Sequence, residues 1–356
     1  MHNLFKKLKI KRRAITALAA LHFYGNPSSK LKIVGVTGTN GKTTTATLLY
    51  RMATELGYKA GLIGTVENII AGEKIPTNEN APQTTPDPIF LNKLLSQMVD
   101  KRCEYVFMEV SSHAMDQNRV AGVNFVGGIF TNLTHDHLDY HKSMENYFNA
   151  KKKFFKILPK DAFALANSDD EHGALMLKDI KANKYTYGFK GGEDFHGEIK
   201  KIDFNGLELR FNDENINARL KGKFNAYNLL DVWSVCKLLG FDMQKVNKIL
   251  ENIEPPTGRF QPYISPTGVL VIVDYAHTPD ALENVFKTIQ TSFIDSRVIS
   301  VFGCGGDRDP LKRRIMGKIG AENSDIAIFT SDNPRSEDPE KIIAEMKTDL
   351  SMNVLE

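Results

Sequence analysis

The chain is poor in cysteine, with Cys103, Cys236 and Cys304 as the only three in 356 residues. They lie far apart and form no CxxC pair, which argues against both a disulfide framework and a thiolate zinc site and fits a reducing cytoplasm. No apolar run reaches the roughly 18 residues that a membrane span needs. Charge of one sign is also lacking: 46 Lys+Arg stand against 43 Asp+Glu, a formal net charge of +3. A general attraction to nucleic acid is therefore not indicated, and any anion site must be local. What is present, 42% hydrophobic and 25% charged residues, is a globular composition that argues against wholesale disorder, a collagen-like repeat or a membrane bundle. The basic run from Lys6 to Arg13 followed by apolar Ala14–Leu21 superficially mimics a signal peptide. Thr16 and His22 interrupt it and no clear processing site follows, so a short amphipathic helix is expected there.

The length favours two domains with an extra short piece. From Leu31 onward short apolar runs alternate with helical periods, the signature of an α/β domain with a mostly parallel sheet. Strands are expected at Lys32–Val36, Ala60–Thr65, Tyr105–Val110 and Gly128–Thr131, with a helix at Thr43–Leu56. Tyr185–Phe211 reads as antiparallel strands attached to the same domain. The Pro/Gly cluster Glu254-Pro255-Pro256-Thr257-Gly258 marks a domain boundary. A second α/β run follows, with strands at Val269–Asp274, Val298–Phe302 and Asp325–Thr330 and helices at Pro279–Gln290 and Leu311–Ala321. Three strands are few for an open sheet of this class, which usually has about 4–6.

The strongest local signal is Gly35-Val36-Thr37-Gly38-Thr39-Asn40-Gly41-Lys42-Thr43-Thr44 between a strand and a helix. Such a turn aims backbone N–H groups and a helix N-terminus at phosphate oxygens, while Lys42 reaches the outer phosphates and the Thr43 hydroxyl can hold Mg²⁺. The first glycine of the general P-loop pattern is absent, since Val36 stands there. Glu109, ending the run before Val110-Ser111-Ser112-His113, can bind a metal directly or through water, and Ser111 or Ser112 can equally cap a helix. Thr134-His135-Asp136-His137-Leu138-Asp139-Tyr140-His141 packs three His and two Asp into eight positions. A metallo-β-lactamase-type zinc pattern is missed by one residue, because Tyr140 separates Asp139 from His141. With a P-loop upstream, one of these histidines is expected to serve Mg²⁺ and others to be structural.

TGTNGKTT, EVSSHA, TNLTHDHLDYH, KFNAYNLL, DYAHTPDAL, GCGGDRD and DNPR occur in the order found in the Mur ligase family, which the chain resembles from about Arg13 to its end. The resemblance implies an ATP-dependent amide ligase of peptidoglycan synthesis that adds meso-diaminopimelate to UDP-MurNAc-L-Ala-D-Glu through an acyl phosphate. It implies ATP contacts at Gly38, Thr39, Asn40, Gly41, Lys42, Thr43 and Thr44, and nucleotide-side roles for Asn225, Asn228, Arg259, Asp274 and His277. Asn225 and Asn228 can alternatively cap a helix. Thr84, Thr85, Ser111, Gln117 and Arg119 would contact the UDP-MurNAc-dipeptide. Thr43, Glu109 and His137 would hold Mg²⁺, joined by Lys151 as a carbamate; Lys42, His137 and Lys151 would be catalytic. Read by itself, Lys151 is one of three consecutive lysines and would be solvated. Arg308 and Asp332-Asn333-Pro334-Arg335 match the amino-acid pocket, where an Arg fork suits the distal carboxylate of meso-diaminopimelate. Asp338-Pro339 also reads as a helix entry.

The implied organisation is a short N-terminal remnant at 1–30, a central ATP-binding domain at 31–255 and a Rossmann-like, incomplete C-terminal domain at 256–356. The family's uridine-gripping domain would be mostly missing, and so would its late GKGHE-type segment. A cytoplasmic monomer without nucleic-acid partners is expected. The alternatives are a folylpolyglutamate or poly-γ-glutamate synthetase type of ligase, a zinc hydrolase resting on the His cluster, or a truncated chain that binds nucleotide without turnover.

Overall fold

A computed structural model describes residues 2–76, 83–203, 205–294, 296–348 and 350, giving only the helical backbone for residues 2–12. The strands are β1 (Lys32–Thr37), β2 (Ala60–Ile63), β3 (Asn68–Ile70), β4 (Glu73–Ile75), β5 (Tyr105–Glu109), β6 (Gly127–Phe130), β7 (Phe163–Asn167), β8 (Asn183–Gly188), β9 (Phe195–Asp203), β10 (Gly206–Phe211), β11 (Glu214–Ala218), β12 (Gln261–Ile264), β13 (Leu270–Val273), β14 (Ile299–Phe302) and β15 (Ile326–Phe329). The first eleven form one sheet in the order β11-β10-β9-β8-β7-β6-β1-β5-β2-β3-β4. The fold is α/β with a parallel centre, as the alternating pattern implied.

β1 reads KIVGVT and is buried from Ile33 to Thr37, as expected of a strand covered on both faces. Because successive side chains alternate, Ile33 joins one hydrophobic cluster while Val34 and Val36 join the other. The cluster of Val34 and Val36 packs under the helices Lys42–Glu55 and Lys223–Leu238 and includes the buried Trp233. That of Ile33 lies under Pro88–Asp100 and Met144–Ile157, with Phe154 and Phe155 buried. Full burial of such a side chain contributes about 1.5–3 kcal/mol. Gly35 is required here, since a Cβ on it would lie 2.5 Å from the Phe154 ring.

β1 lies between β5 and β6, parallel to both. Its C-terminal end, Glu109 at the end of β5 and Phe130 at the end of β6 therefore open on one sheet edge, where parallel α/β sheets place ligands.

Two expectations need correction. β8 pairs in parallel with β7 and β9, so only β9–β11 form the antiparallel extension read for Tyr185–Phe211. β13 pairs antiparallel with β12, while β14 and β15 pair with each other in parallel. The three C-terminal strands thus do not share one sheet among the described residues, because the chain turning at Ser265–Gly268 brings β13 back along β12. The helix expected near the N-terminus is present as His2–Phe23, and among its residues with described side chains Ala17 and Ala20 are buried while Ile15, Leu18 and Phe23 are exposed. No described helix is long and apolar enough to cross a membrane.

Candidate functional site

The loop after β1 is fastened to the segment that follows β6. Thr39 N–H donates to Asn132 O (2.8 Å) and Asn40 N–H to Asn132 Oδ1 (2.8 Å), while Thr131 Oγ1 donates to Asn40 O (2.6 Å). A Cβ at Gly38 would meet Thr131 Oγ1 at 1.8 Å, so this close approach admits only glycine. Gly41, at φ 87°, enters the helix Lys42–Glu55 without a side-chain cap, leaving the N-terminal N–H groups free of a side-chain acceptor. Lys42 donates to the carbonyls of Gly38 (3.0 Å) and Thr39 (2.7 Å), and burial lowers its pKa. Thr43 and Thr44 are buried in the first helical turn.

Thr43 Oγ1 lies 3.0 Å from both Glu109 oxygens. Glu109, 1% exposed, also accepts from Thr65 N–H (2.7 Å) and Thr65 Oγ1 (3.1 Å), and Thr65 in turn reaches Thr84 Oγ1 at 3.0 Å. A polar wall continues from there. Thr85 Oγ1 donates to Glu109 O (2.8 Å) and accepts from Ser111 N–H (3.0 Å). Ser111 Oγ accepts from Ala114 N–H, so the helix-cap reading holds for Ser111. Arg119 donates to Thr85 O (2.7 Å), to Gln83 Oε1 and to Gln117 Oε1 (2.8 Å), and Gln117 reaches Tyr140 OH at 3.3 Å. All five residues expected to contact the acceptor thus lie in one connected network with Glu109.

The His-Asp block does not converge on one point. His135 Nε2 pairs with Asp309 (2.7 Å), His141 Nε2 with Ser112 Oγ (2.9 Å), and His137 with its neighbour Asp136 (3.4 Å). Among the described residues no three His, Cys, Asp or Glu side chains gather as a metal set. His137 adopts φ 55° and packs on His113 and Tyr147. Burial lowers its pKa well below the usual value despite Asp136, and pushes His113 down to about 4. Burial alone would raise Asp136, but His137, Lys312 and His277 hold it at about 2.

Lys151 is 1% exposed, and its Nζ donates to Gly38 O at 2.6 Å above the Tyr147 ring. The solvated position that its run of lysines suggested is not where it lies. Burial, with Lys42 nearby, pushes its pKa well below the lysine range. Tyr147 OH lies 3.1 Å from Thr39 Oγ1 beneath the same loop.

The C-terminal part of the chain closes over this edge. Arg259 Nη2 donates to Thr43 Oγ1 (3.2 Å), and its buried Nε has no acceptor among the described residues. Asp274 accepts from Phe260 N–H (2.7 Å), and the exposed His277 lies 3.9 Å from Asp136. Asn225 donates to Lys221 O (2.8 Å) and Asn228 to Asn225 Oδ1 (3.0 Å), while Asn228 Oδ1 sits against Gly41. Neither side chain caps the helix Lys223–Leu238. Arg335, at φ 51°, donates to Gly306 O (2.6 Å), and Gly306 N–H donates to Asn333 O (2.9 Å). The GCGGDRD and DNPR loops are thereby pressed together, with Arg308, Asp332, Asn333 and Arg335 exposed and Pro334 half-buried. Asp338 caps the helix Pro339–Met346, so the helix-entry reading also holds.

The sequence reading missed Thr65, Tyr147, Thr278, Asp280, Asp309 and Lys312. Lys312 is buried, donating to His277 O (2.8 Å) and lying 3.8 Å from Asp136. Thr278 and Asp280 stood inside DYAHTPDAL, where a residue pairing with the P-loop could have been sought. The donor set fits the groups that the motifs imply. One hydroxyl and one carboxylate at a helix N-terminus suit Mg²⁺, which keeps its remaining positions for phosphates and water. The orphaned Arg259 Nε offers a buried cation to an anionic ligand.

Residues 36–236 match the Mur ligase middle domain, and residues 258–355 match the Mur ligase glutamate ligase domain. The UDP-N-acetylmuramoyl-L-alanyl-D-glutamate--2,6-diaminopimelate ligase of Cytophaga hutchinsonii is 52% identical over 330 residues, covering 93% of this chain and 67% of that protein. The protein of the same description from Bacteroides fragilis is 53% identical over 333 residues, covering 93% and 68%. The chain therefore spans about two thirds of the length of these relatives. A solved structure of a ligase of that description aligns with a TM-score of 0.66 at 32% identity, covering 90% of this chain and 66% of its own. A Mycobacterium tuberculosis folylpolyglutamate synthase aligns with a TM-score of 0.77 at 17% identity, covering 94% and 83%, a likeness of fold alone.

Proposed function

This chain belongs to the Mur ligase family of ATP-dependent amide ligases, and from that premise we propose that it joins meso-diaminopimelate to UDP-MurNAc-L-Ala-D-Glu. The terminal carboxylate of the acceptor attacks the γ-phosphate of ATP, releasing ADP and forming an acyl phosphate. The amine of meso-diaminopimelate then displaces phosphate and leaves an amide. The observation that carries this reading is the Thr43–Glu109 pair at the start of the P-loop helix, with Arg259 closing on it from the C-terminal part.

In this reading Lys42 leaves the Gly38 and Thr39 carbonyls for the phosphates, and the open N-terminus of its helix adds N–H donors. Thr43, Glu109 and His137 are the residues that would hold Mg²⁺, which when bound neutralises charge on the transferring phosphoryl group. Burial shifts Lys151 toward the neutral amine, the form that adds CO₂ to give a carbamate with loss of a proton. The resulting anion would replace a cation beside Lys42 and support the metal.

Thr84, Thr85, Ser111, Gln117 and Arg119 position the acceptor along their hydrogen-bonded wall. Asn225, Asn228, Arg259, Asp274 and His277 face the nucleotide. The exposed guanidinium groups of Arg308 and Arg335, with Asp332-Asn333-Pro334 between the strands and the helix, take the amino acid, Arg335 through its distal carboxylate. Free, buried cysteines are consistent with action in the cytoplasm, and we assign it there as a monomer. ADP release that requires both the UDP-MurNAc-dipeptide and meso-diaminopimelate is the expected result. Release independent of the amine would overturn the ligase reading.

A further inference from the structure

Asn40 is the middle residue of the phosphate-loop turn, and every polar group of its side chain and backbone is engaged. Its backbone is held by the segment just after β6: N–H donates to Asn132 Oδ1 (2.8 Å), and its carbonyl accepts from Thr131 Oγ1 (2.6 Å) and Asn132 Nδ2 (3.2 Å). Its side chain turns the other way. Nδ2 donates to Asp280 Oδ2 at 2.7 Å, across 240 residues, and Oδ1 accepts from Thr278 Oγ1 at 3.4 Å. Thr278 is the N-cap, and Asp280 lies in the first turn, of the helix Pro279–Ser292.

We infer that Asp280 is a positioning residue that latches the C-terminal part of the chain onto the P-loop through Asn40, and so sets the closed geometry in which amine and acyl phosphate meet. The turn that would surround the phosphates and the helix that carries the C-terminal part cannot shift relative to each other without breaking this bond. A carboxylate beside a phosphate loop would otherwise work against an anionic ligand, and the Asn40 amide is what keeps it engaged. Asp280 is also flanked by Asn284, Glu283 and Lys287 on its own helix. The competing explanation is local: an acid in a first helical turn stabilises the helix dipole without any role in closure.

The role in turnover rests on the ligase reading, whereas the latch geometry does not, and the experiment separates them. Spin labels on cysteines introduced at exposed Lys93 and Lys318 report the distance between the two parts by pulsed EPR, with the three native cysteines buried. Asp280→Ala should broaden and lengthen that distribution, and Asp280→Asn, which keeps an acceptor for Asn40, should preserve it. In turnover, Asp280→Ala should lower kcat about tenfold and raise KM for the amino acid, as loss of a charge-assisted hydrogen bond implies, without weakening ATP binding. Asn40→Ala combined with Asp280→Ala should cost no more than the larger single effect. Asp280→Asn as impaired as Asp280→Ala would assign the carboxylate to the helix dipole and overturn the latch. So would an unchanged distance distribution in Asp280→Ala, or additive effects in the double variant. If the unaltered protein shows no amine-dependent turnover, the ligase reading falls and the distance measurement alone decides the latch.

Discussion

Lys151 Nζ donates to the carbonyl oxygen of Gly38 at 2.6 Å, joining residues 113 positions apart. On the helix Met144–Ile157, Lys151 shares the buried face of Tyr147, Ala150, Phe154 and Phe155, the i, i+3, i+4 stripe of a helix against a sheet. Its neighbours lie elsewhere: Lys152 donates to Leu175 O and Lys153 pairs with Asp116. Three consecutive lysines thus occupy three different environments.

Lys151→Ala should cripple ADP release in the ligase assay, and high bicarbonate or a short carboxylic acid should restore part of it by supplying an anion in the vacated space. Lys152→Ala and Lys153→Ala should stay within about 0.5 kcal/mol of the unaltered protein in stability and near it in rate. Full activity in Lys151→Ala would remove this residue from the mechanism.

Lys42→Ala should abolish turnover while leaving the fold intact, since among the described residues its Nζ hydrogen-bonds only to the two loop carbonyls it would exchange for phosphate. Nucleotide titration and circular dichroism of the variant check both halves. Retained phosphoryl transfer would refute the role assigned to Lys42.

Amino-acid choice tests the DNPR loop. The unaltered protein should use meso-diaminopimelate far better than L-lysine, and Arg335→Ala should narrow that ratio by about tenfold or more as a charge-assisted pair is lost. Because Arg335 also braces Gly306 O, a thermal melt of the variant separates specificity from stability. Equal use of both amino acids by the unaltered protein would sink the assignment.

A pH effect on stability follows from Arg313, 1% exposed, which donates to Glu337 (2.8 Å) and Glu345 (2.8 Å). Hydrogen bonds from Arg313 and from Asp307 N–H hold the Glu337 carboxyl down from 4.5 to about 2. A carboxyl depressed in the folded state adds stability that is complete above its unfolded pKa and is lost as pH falls through the folded value. The melting temperature should therefore drop between pH 4.5 and about 2. Glu337→Gln should melt lower at neutral pH and show a shallower drop in acid. Parallel melting curves for the two proteins across that range would rule out the pair as a source of acid sensitivity.

What the amino-acid sequence alone determined is whatever depends on neighbours along the chain. The run of short apolar strands, the Gly-rich turn before a helix, Glu109 ending a strand and the cap at Asp338 were all legible, because strand period, helix entry and turn chemistry are local. The order of the motifs was legible too, and the family followed from it. Only the tertiary structure decided which residues meet. The parallel crossovers that put β1 between β5 and β6 bring Thr43 to Glu109, and the Met144–Ile157 helix, packed under the same sheet, aims Lys151 rather than Lys152 at Gly38. The three histidines of the His-Asp block parted to different partners, His135 to Asp309, His141 to Ser112 and His137 to its neighbour Asp136. Strand Leu270–Val273 paired with Gln261–Ile264 instead of its expected parallel neighbours, and Asn40 found Asp280, through register and docking between segments distant in sequence. Composition and periodicity carry no record of such pairings, since they are set by long-range packing.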